Sequence, residues 1–169
     1  MDGVVRLQDW RSGSAGSGAE SPGLGLHPRV PRRRHIFRSS EWTRIDGNQV
    51  RGKVTVVSAV GESSGEAQGP DVPGVRAEIA AQATLQALAR AEGGEVSLAL
   101  KSARVLRFMD NPIVVVGIYG VNGGEMFPLL GACLVLSSVE HASILATLQA
   151  VDRWLAWRAR RSVLKDPGR

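Results

Sequence analysis

Ile113–Val121 is a nine-residue run in which only Gly117 and Gly120 interrupt large apolar side chains, and it ends at Asn122-Gly123. A strand apolar at both parities must be covered on both faces, by its own domain or by a second copy. Asn-Gly after such a run is the strongest short-range hairpin signal, because both residues accept positive φ. The return strand, Met126 to Leu136, contains Pro128, which has no amide to give a ladder and so belongs at a sheet edge or a bulge. Ser137-Ser-Val-Glu140 then has the spacing of a capping box with Ser137 as N-cap. Ile144, Leu148, Val151 and Leu155 follow at helical spacing, predicting an amphipathic helix through Trp157 to about Arg161. One hairpin and one helix are therefore written into residues 113–161.

The same reading works backwards. Val96, Leu98 and Leu100 alternate, then the phase shifts at Lys101-Ser102 and passes to Ala103 and Val105, which predicts a strand with a bulge. Asp110-Asn111-Pro112 reads as a turn. Upstream, Asp71 followed by Pro73 marks a helix start, and Ala77, Ala81, Leu85 and Leu88 line a face that runs to about Ala91 before Gly93-Gly94. Val50, Gly52, Val54 and Val56 alternate with Arg51, Lys53 and Thr55, giving a half-buried strand. Gly61-Glu-Ser-Ser-Gly65 reads as a turn and Glu66–Gly69 as a short second strand. The predicted fold is α+β, a two-layer sandwich of order β-β-α-β-β-β-α, with two helices on one face of a mainly antiparallel sheet.

Charge divides the chain in three. Residues 1–40 hold seven arginines and three acids, a net +4. Residues 41–152 hold eight bases and twelve acids, a net −4, and residues 153–169 hold six bases and one acid, a net +5. The basic character thus sits at the ends, and the part expected to fold is mildly acidic. Residues 11–31 mix Gly, Ser and Pro without periodicity and cannot bury enough apolar surface to offset their ordering entropy. The expected domains are a disordered basic arm over 1–40, one α+β domain over 41–161 and a basic tail over 162–169.

Chemistry-bearing residues are sparse. Cys133 is the sole cysteine, lies in an apolar strand and reads as an inert buried thiol in a reducing compartment, so the cytoplasm is the expected location. The histidines are His27, His35 and His141, two of them in the expected arm. That set supplies no metal-ligand spacing and no nucleophile–base pair, so the expectation is no cofactor, no metal and no enzymatic activity, apart from a site assembled at an oligomer interface. Gly117, Gly120, Gly123 and Gly124 lack the Gly-Lys-Ser/Thr of a phosphate-binding loop. No apolar run reaches the ~20 residues of a membrane span. Gly69 and Asp71 beside the first helix start, and Ser138 and His141 at the second, are the candidate contacts for a small effector or protein partner. Arg32, Arg33, Arg34, Arg153, Trp157, Arg158, Arg160 and Arg161 are the candidate contacts for nucleic acid or another anionic surface, with Trp157 and Arg161 one helical turn apart. The α-β-β-β-α order from Pro73 to Arg161 is also that of double-stranded-RNA-binding domains. Those carry lysines where the last helix begins, and here that turn is Ser-Val-Glu-His, which argues against nucleic acid at the core.

Two segments resemble the C-terminal regulatory domain of isopropylmalate synthase. One is Gly61-Glu-Ser-Ser-Gly-Glu-Ala-Gln-Gly-Pro70, similar to a glycine-rich hairpin ahead of a helix in that family. The other runs from Gly131-Ala-Cys-Leu through Ala142-Ser143 to Ala150-Val-Asp-Arg153, similar to its closing strand and helix. The resemblance implies a doubled β-β-β-α unit that dimerises and responds to a small molecule. The synthase reaction and leucine as ligand do not carry over. The chain departs from that family in lacking one strand of the first unit, unless residues 36–46 supply it. The expected function is a non-enzymatic regulatory or scaffold domain, a homodimer, with the arginine-rich ends as an alternative anionic-partner surface.

Overall fold

The computed structural model describes residues 34–165. They form an α+β fold of two consecutive β-β-β-α units. The first comprises β1 (Ile36–Asp46), β2 (Gln49–Ser58), β3 (Gly61–Pro70) and α1 (Pro73–Ala91). The second comprises β4 (Ser97–Phe108), β5 (Asn111–Asn122), β6 (Glu125–Leu134) and α2 (Val139–Lys165). From β2 onward the order is the one expected; β1 precedes it and gives the first unit its third strand. The strands divide between two antiparallel three-stranded sheets, β1-β2-β3 and β4-β5-β6, each a simple meander.

Several local expectations shift by a few residues for identifiable reasons. The expected boundary at 40/41 falls inside β1. Gly61–Gly65 is strand rather than turn, pairing Gly61 with Ser58 through Gly65 with Val54, and the reversal lies at Ala59-Val60. Its two glycines mimic turn composition for different reasons: Gly61 takes a φ of 125° as the strand begins, and over Gly65 α1 passes so close that a Cβ would meet the backbone carbonyl of Ala83, with Ala87 N only 2.5 Å away. The same device recurs in the second unit, where a Cβ on Gly131 would meet the Ala146 carbonyl of α2. The bulge expected at Lys101-Ser102 is present, as a register shift between Leu100 and Ser102 against β5. Pro128 lies on β6, an edge strand, as its missing amide requires. The helix cap is Ser138, not Ser137: its Oγ accepts the His141 amide at 3.1 Å, and Glu140 is thereby free to reach another partner. Helix α2 runs on to Lys165, four residues into the expected tail.

One core spans both units. Val54 and Val56 of β2 and Val114, Val116 and Ile118 of β5 point inward onto Leu85, Leu88, Ile144, Val151 and Leu155. α1 buries ten residues, five of them besides Ala91 being alanine, because it meets its own sheet, α2 and β4 together. Small side chains let the helices touch backbone to side chain: Ser143 Oγ donates to Ala77 O across the pair at 2.7 Å. Thr84 and Thr147 are also fully buried, and each hydroxyl donates to a carbonyl one turn back, so neither costs an unmet hydrogen bond. Arg76 and Ala77 meet Glu140 and Ser143 at one end of the pair, and Glu92 and Asp152 flank His35 at the other. The helices therefore run in the same direction.

Candidate functional site

Parallel helices bring both helix starts to one end of the molecule, and three of the four effector candidates gather there. Asp71 precedes α1, Ser138 and His141 open α2, and the residue joining them is Arg76, which the sequence reading did not select. Arg76 Nε donates to Asp71 Oδ1 at 2.6 Å and Arg76 Nη1 to Glu140 Oε1 at 2.9 Å. Arg44 Nη2, from the end of β1, donates to the other Asp71 oxygen at 2.8 Å. The hydrogen bonds from Arg44 and then Arg76 hold the Asp71 carboxyl below its ordinary value. Burial pushes Glu140 the other way, and Arg76, its own backbone amide and Ser138 together outweigh that, leaving it low as well. Asp71 also gives its amide to Asn48 O at 2.8 Å, fixing the β3–α1 corner against the first hairpin. The His141 ring is half-buried with Phe37 of β1 edge-on to it at 5.1 Å. Gly69 lies on β3 just before this corner, with the space above it taken by Ile79 and Val75 side chains.

The cluster is an electrostatic clasp between the two units, with two carboxylates and two guanidiniums alternating. Nothing in its spacing alone marks it, since Arg44, the Asp71–Arg76 corner and Glu140 come from three separate stretches of chain. Among the described residues no group of three or more His, Cys, Asp and Glu is arranged to hold a metal ion. Cys133 is half-buried on β6, and burial raises its thiol, the opposite of an activated nucleophile.

A second surface lies on the outer faces of the sheets. In β4-β5-β6 the outward cross-strand rows read Leu106–Ile113–Leu134, Arg104–Val115–Ala132, Ser102–Gly117–Leu130 and Ala99–Tyr119–Pro128. Leu130 is 65% exposed, and Leu106, Leu134 and Met126 are also exposed. β5 thus buries one parity, Val114, Val116, Ile118 and Gly120, against the helices, while its other apolar parity has only half a cover.

The basic candidates scatter. Arg32 and Arg33 lie outside the described residues. Arg34 Nη1 donates to Leu155 O at 3.4 Å, so it ties the chain to α2. Arg153, Arg160 and Arg161 are exposed along α2, and Arg158 is half-buried and engaged. The expected Trp157–Arg161 contact forms, with the guanidinium 5.2 Å from the ring centre. Trp157 is 39% exposed and leans on Phe127 of β6 at 5.1 Å, so it closes the core at one edge and offers the other to solvent. Among the described residues no helix is long and apolar enough to cross a membrane. No protein-family model matches the chain, and no curated protein matches it.

Proposed function

We propose that this chain is a regulatory or scaffold domain that acts by binding, not by bond-breaking chemistry, and that its working form is a pair of copies associated through the outer face of β4-β5-β6. The observation that carries the reading is that face: four outward rows in which ten of twelve positions are apolar or glycine, on a sheet whose inner side is already used. Three strands of this length span roughly 15 Å by 35 Å. With side-chain relief that is the scale of the ~800 Å² per partner that a specific interface buries. Sheet-on-sheet packing would cover the second apolar parity of β5, which a single copy leaves half open.

Effector binding belongs at the clasp end. There, a ligand bearing a carboxylate or an ammonium would compete for Arg76 or for Asp71 and Glu140, and so loosen or tighten one unit against the other. The resemblance to the isopropylmalate synthase regulatory domain supports the same reading, as does the repeated β-β-β-α order. A lone half-buried cysteine suits the reducing cytoplasm proposed for it.

Light scattering on the full chain tests the proposal: a dimer is expected, and Leu130→Glu is expected to give a folded monomer. A wild-type monomer at tens of micromolar, with no thermal shift across amino acids and small anions, would defeat it. The exposed Trp157–Arg161 pair favours one alternative, an anionic partner held along α2. That reading requires affinity for single-stranded nucleic acid or anionic vesicles that falls steeply with salt and is lost in Trp157→Ala/Arg161→Glu.

A further inference from the structure

The segment from Arg34 to Phe37 lies along α2 as a strap. Arg34 reaches Leu155 O, His35 reaches Asp152, and Phe37 packs on His141, so the strap runs against the helix direction. Its centre is His35, only 1% exposed although it precedes the first strand. His35 Nδ1 is 2.7 Å from Asp152 Oδ1 on α2, and His35 Nε2 is 3.1 Å from Glu92 Oε1 at the C-cap of α1. The Asp152 contact has hydrogen-bond geometry. The Glu92 contact is close but poorly aligned for one, so it acts through charge.

Proton inventory decides what this arrangement does. An ionised carboxylate only accepts, and a neutral imidazole has one N–H and one lone pair. With both ring nitrogens against carboxylates and the ring buried, the neutral form sets a lone pair against carboxylate oxygen on one side. The doubly protonated ring gives an N–H to Asp152 and sets its positive charge beside Glu92 at the end of α1, where the helix dipole also favours a cation. The groups facing the ring are Glu92 from α1 and Asp152 from α2, with the Arg34 guanidinium next along the strap. We infer that His35 is a proton-operated lock: with both ring nitrogens protonated it holds the start of β1 across both helices, and loss of one proton releases the strap. The lock is independent of self-association, since it joins the two units within one copy.

The experiment uses the full chain with nitrogen-15-labelled histidine. Ring protonation of His35 is read by NMR, and exchange protection of the Ile36–Ser40 amides is read in parallel, corrected for intrinsic exchange, from pH 5 to 8. Loss of the second ring proton and loss of protection should coincide, with protection falling about tenfold or more. In Asp152→Asn the pH effect on protection should shrink, and in His35→Gln it should vanish, leaving only what His141 contributes to both proteins. Protection that persists while the ring loses its proton overturns the lock. So does a ring held in one protonation state across the whole range, or a pH profile shared by wild type and His35→Gln. If His35→Gln fails to fold, the wild-type pair of readings and Asp152→Asn still decide.

Discussion

The two β-β-β-α units solve the inner problem alike and the outer one in opposite ways. In both, the third strand carries a glycine where its helix crosses, Gly65 under Ala83 and Gly131 under Ala146, and the middle strand sends alternate valines into the shared core. Outside they part. The first sheet shows rows of Ser39–Thr55–Ser64, Glu41–Lys53–Glu66 and Thr43–Arg51–Gln68, with Thr55 and Ser64 hydroxyls 2.8 Å apart. The second shows the leucine-rich rows described above. A solvated sheet face needs polar cross-strand partners, and the first unit has them; the second has the composition of a face awaiting cover. One architecture thus carries a solvated outer surface and an apolar one, and only the apolar one offers the proposed association a place to form.

The shared feature predicts the largest effect. Gly131→Ala and Gly65→Ala each drive a Cβ into a helix backbone carbonyl, which no rotamer change relieves. Each should cost about 3 kcal/mol or more, the upper range for overpacking, read as a lowered urea midpoint. Similar losses at both sites would establish that the two helices dock by one mechanism. Tolerance at either would show that its helix rides higher than this packing requires.

Next comes the difference. Leu130 is the most exposed leucine of the outer rows, so Leu130→Glu would place one acid from each copy in the desolvated apolar layer of the proposed interface. The dimer dissociation constant should rise about 100-fold or more, equivalent to roughly 2.7 kcal/mol. The urea midpoint of the monomer should hardly move, because Leu130 is exposed and contributes little to the core of one copy.

The clasp between units should show an intermediate effect of defined sign. Asp71 and Glu140 are both held below their ordinary values in the folded chain. Their contribution is therefore complete above the unfolded carboxyl range, about pH 4–4.5, and is lost as pH falls through the lower folded values. Wild type should lose thermal stability progressively as pH falls from 5 to 2. Arg76→Met, which takes away the guanidinium common to both carboxyls, should start lower at pH 7 and show a shallower acid loss. Parallel acid profiles for the two proteins would mean that the clasp contributes nothing.

Which of these features the sequence disclosed follows from how local each one is. β2, β4, β5, β6, α1 and the start of α2 are visible in periodicity, caps and turn residues that act within a few positions. The Lys101-Ser102 bulge and the Trp157–Arg161 contact are local in the same sense. β1 is not, since bulges between Phe37 and Ser39 and between Arg44 and Asp46 break its alternation, and its register comes from β2. β3 is legible only over Glu66–Gly69; its first half reads as a turn because Gly61, which takes a positive φ, and Gly65, which clears α1, look like turn glycines. The clasp and the His35 lock join residues up to 117 apart, so no spacing rule brings His35 to Asp152. Asp71, Ser138 and His141 were legible only as helix-start residues; Arg76, which makes them one site, was not.

The smallest effect sharpens the contrast between the faces most directly. Lys53 lies between Glu41 and Glu66 on the solvated sheet, a row of exposed or half-exposed charges. Exposed pairs of this kind contribute little, so Lys53→Met should change stability by no more than about 0.5 kcal/mol and leave the oligomeric state alone. Replacing the whole row, Glu41→Leu, Lys53→Leu and Glu66→Leu together, gives the first unit an apolar stripe like that of the second. If outer-face chemistry alone sets association, light scattering of the triple variant should show species larger than the wild-type assembly, and adding Leu130→Glu should bring it back to dimers formed through the first sheet. A triple variant with unchanged mass would show that shape at the second sheet, rather than its apolar composition, selects the partner.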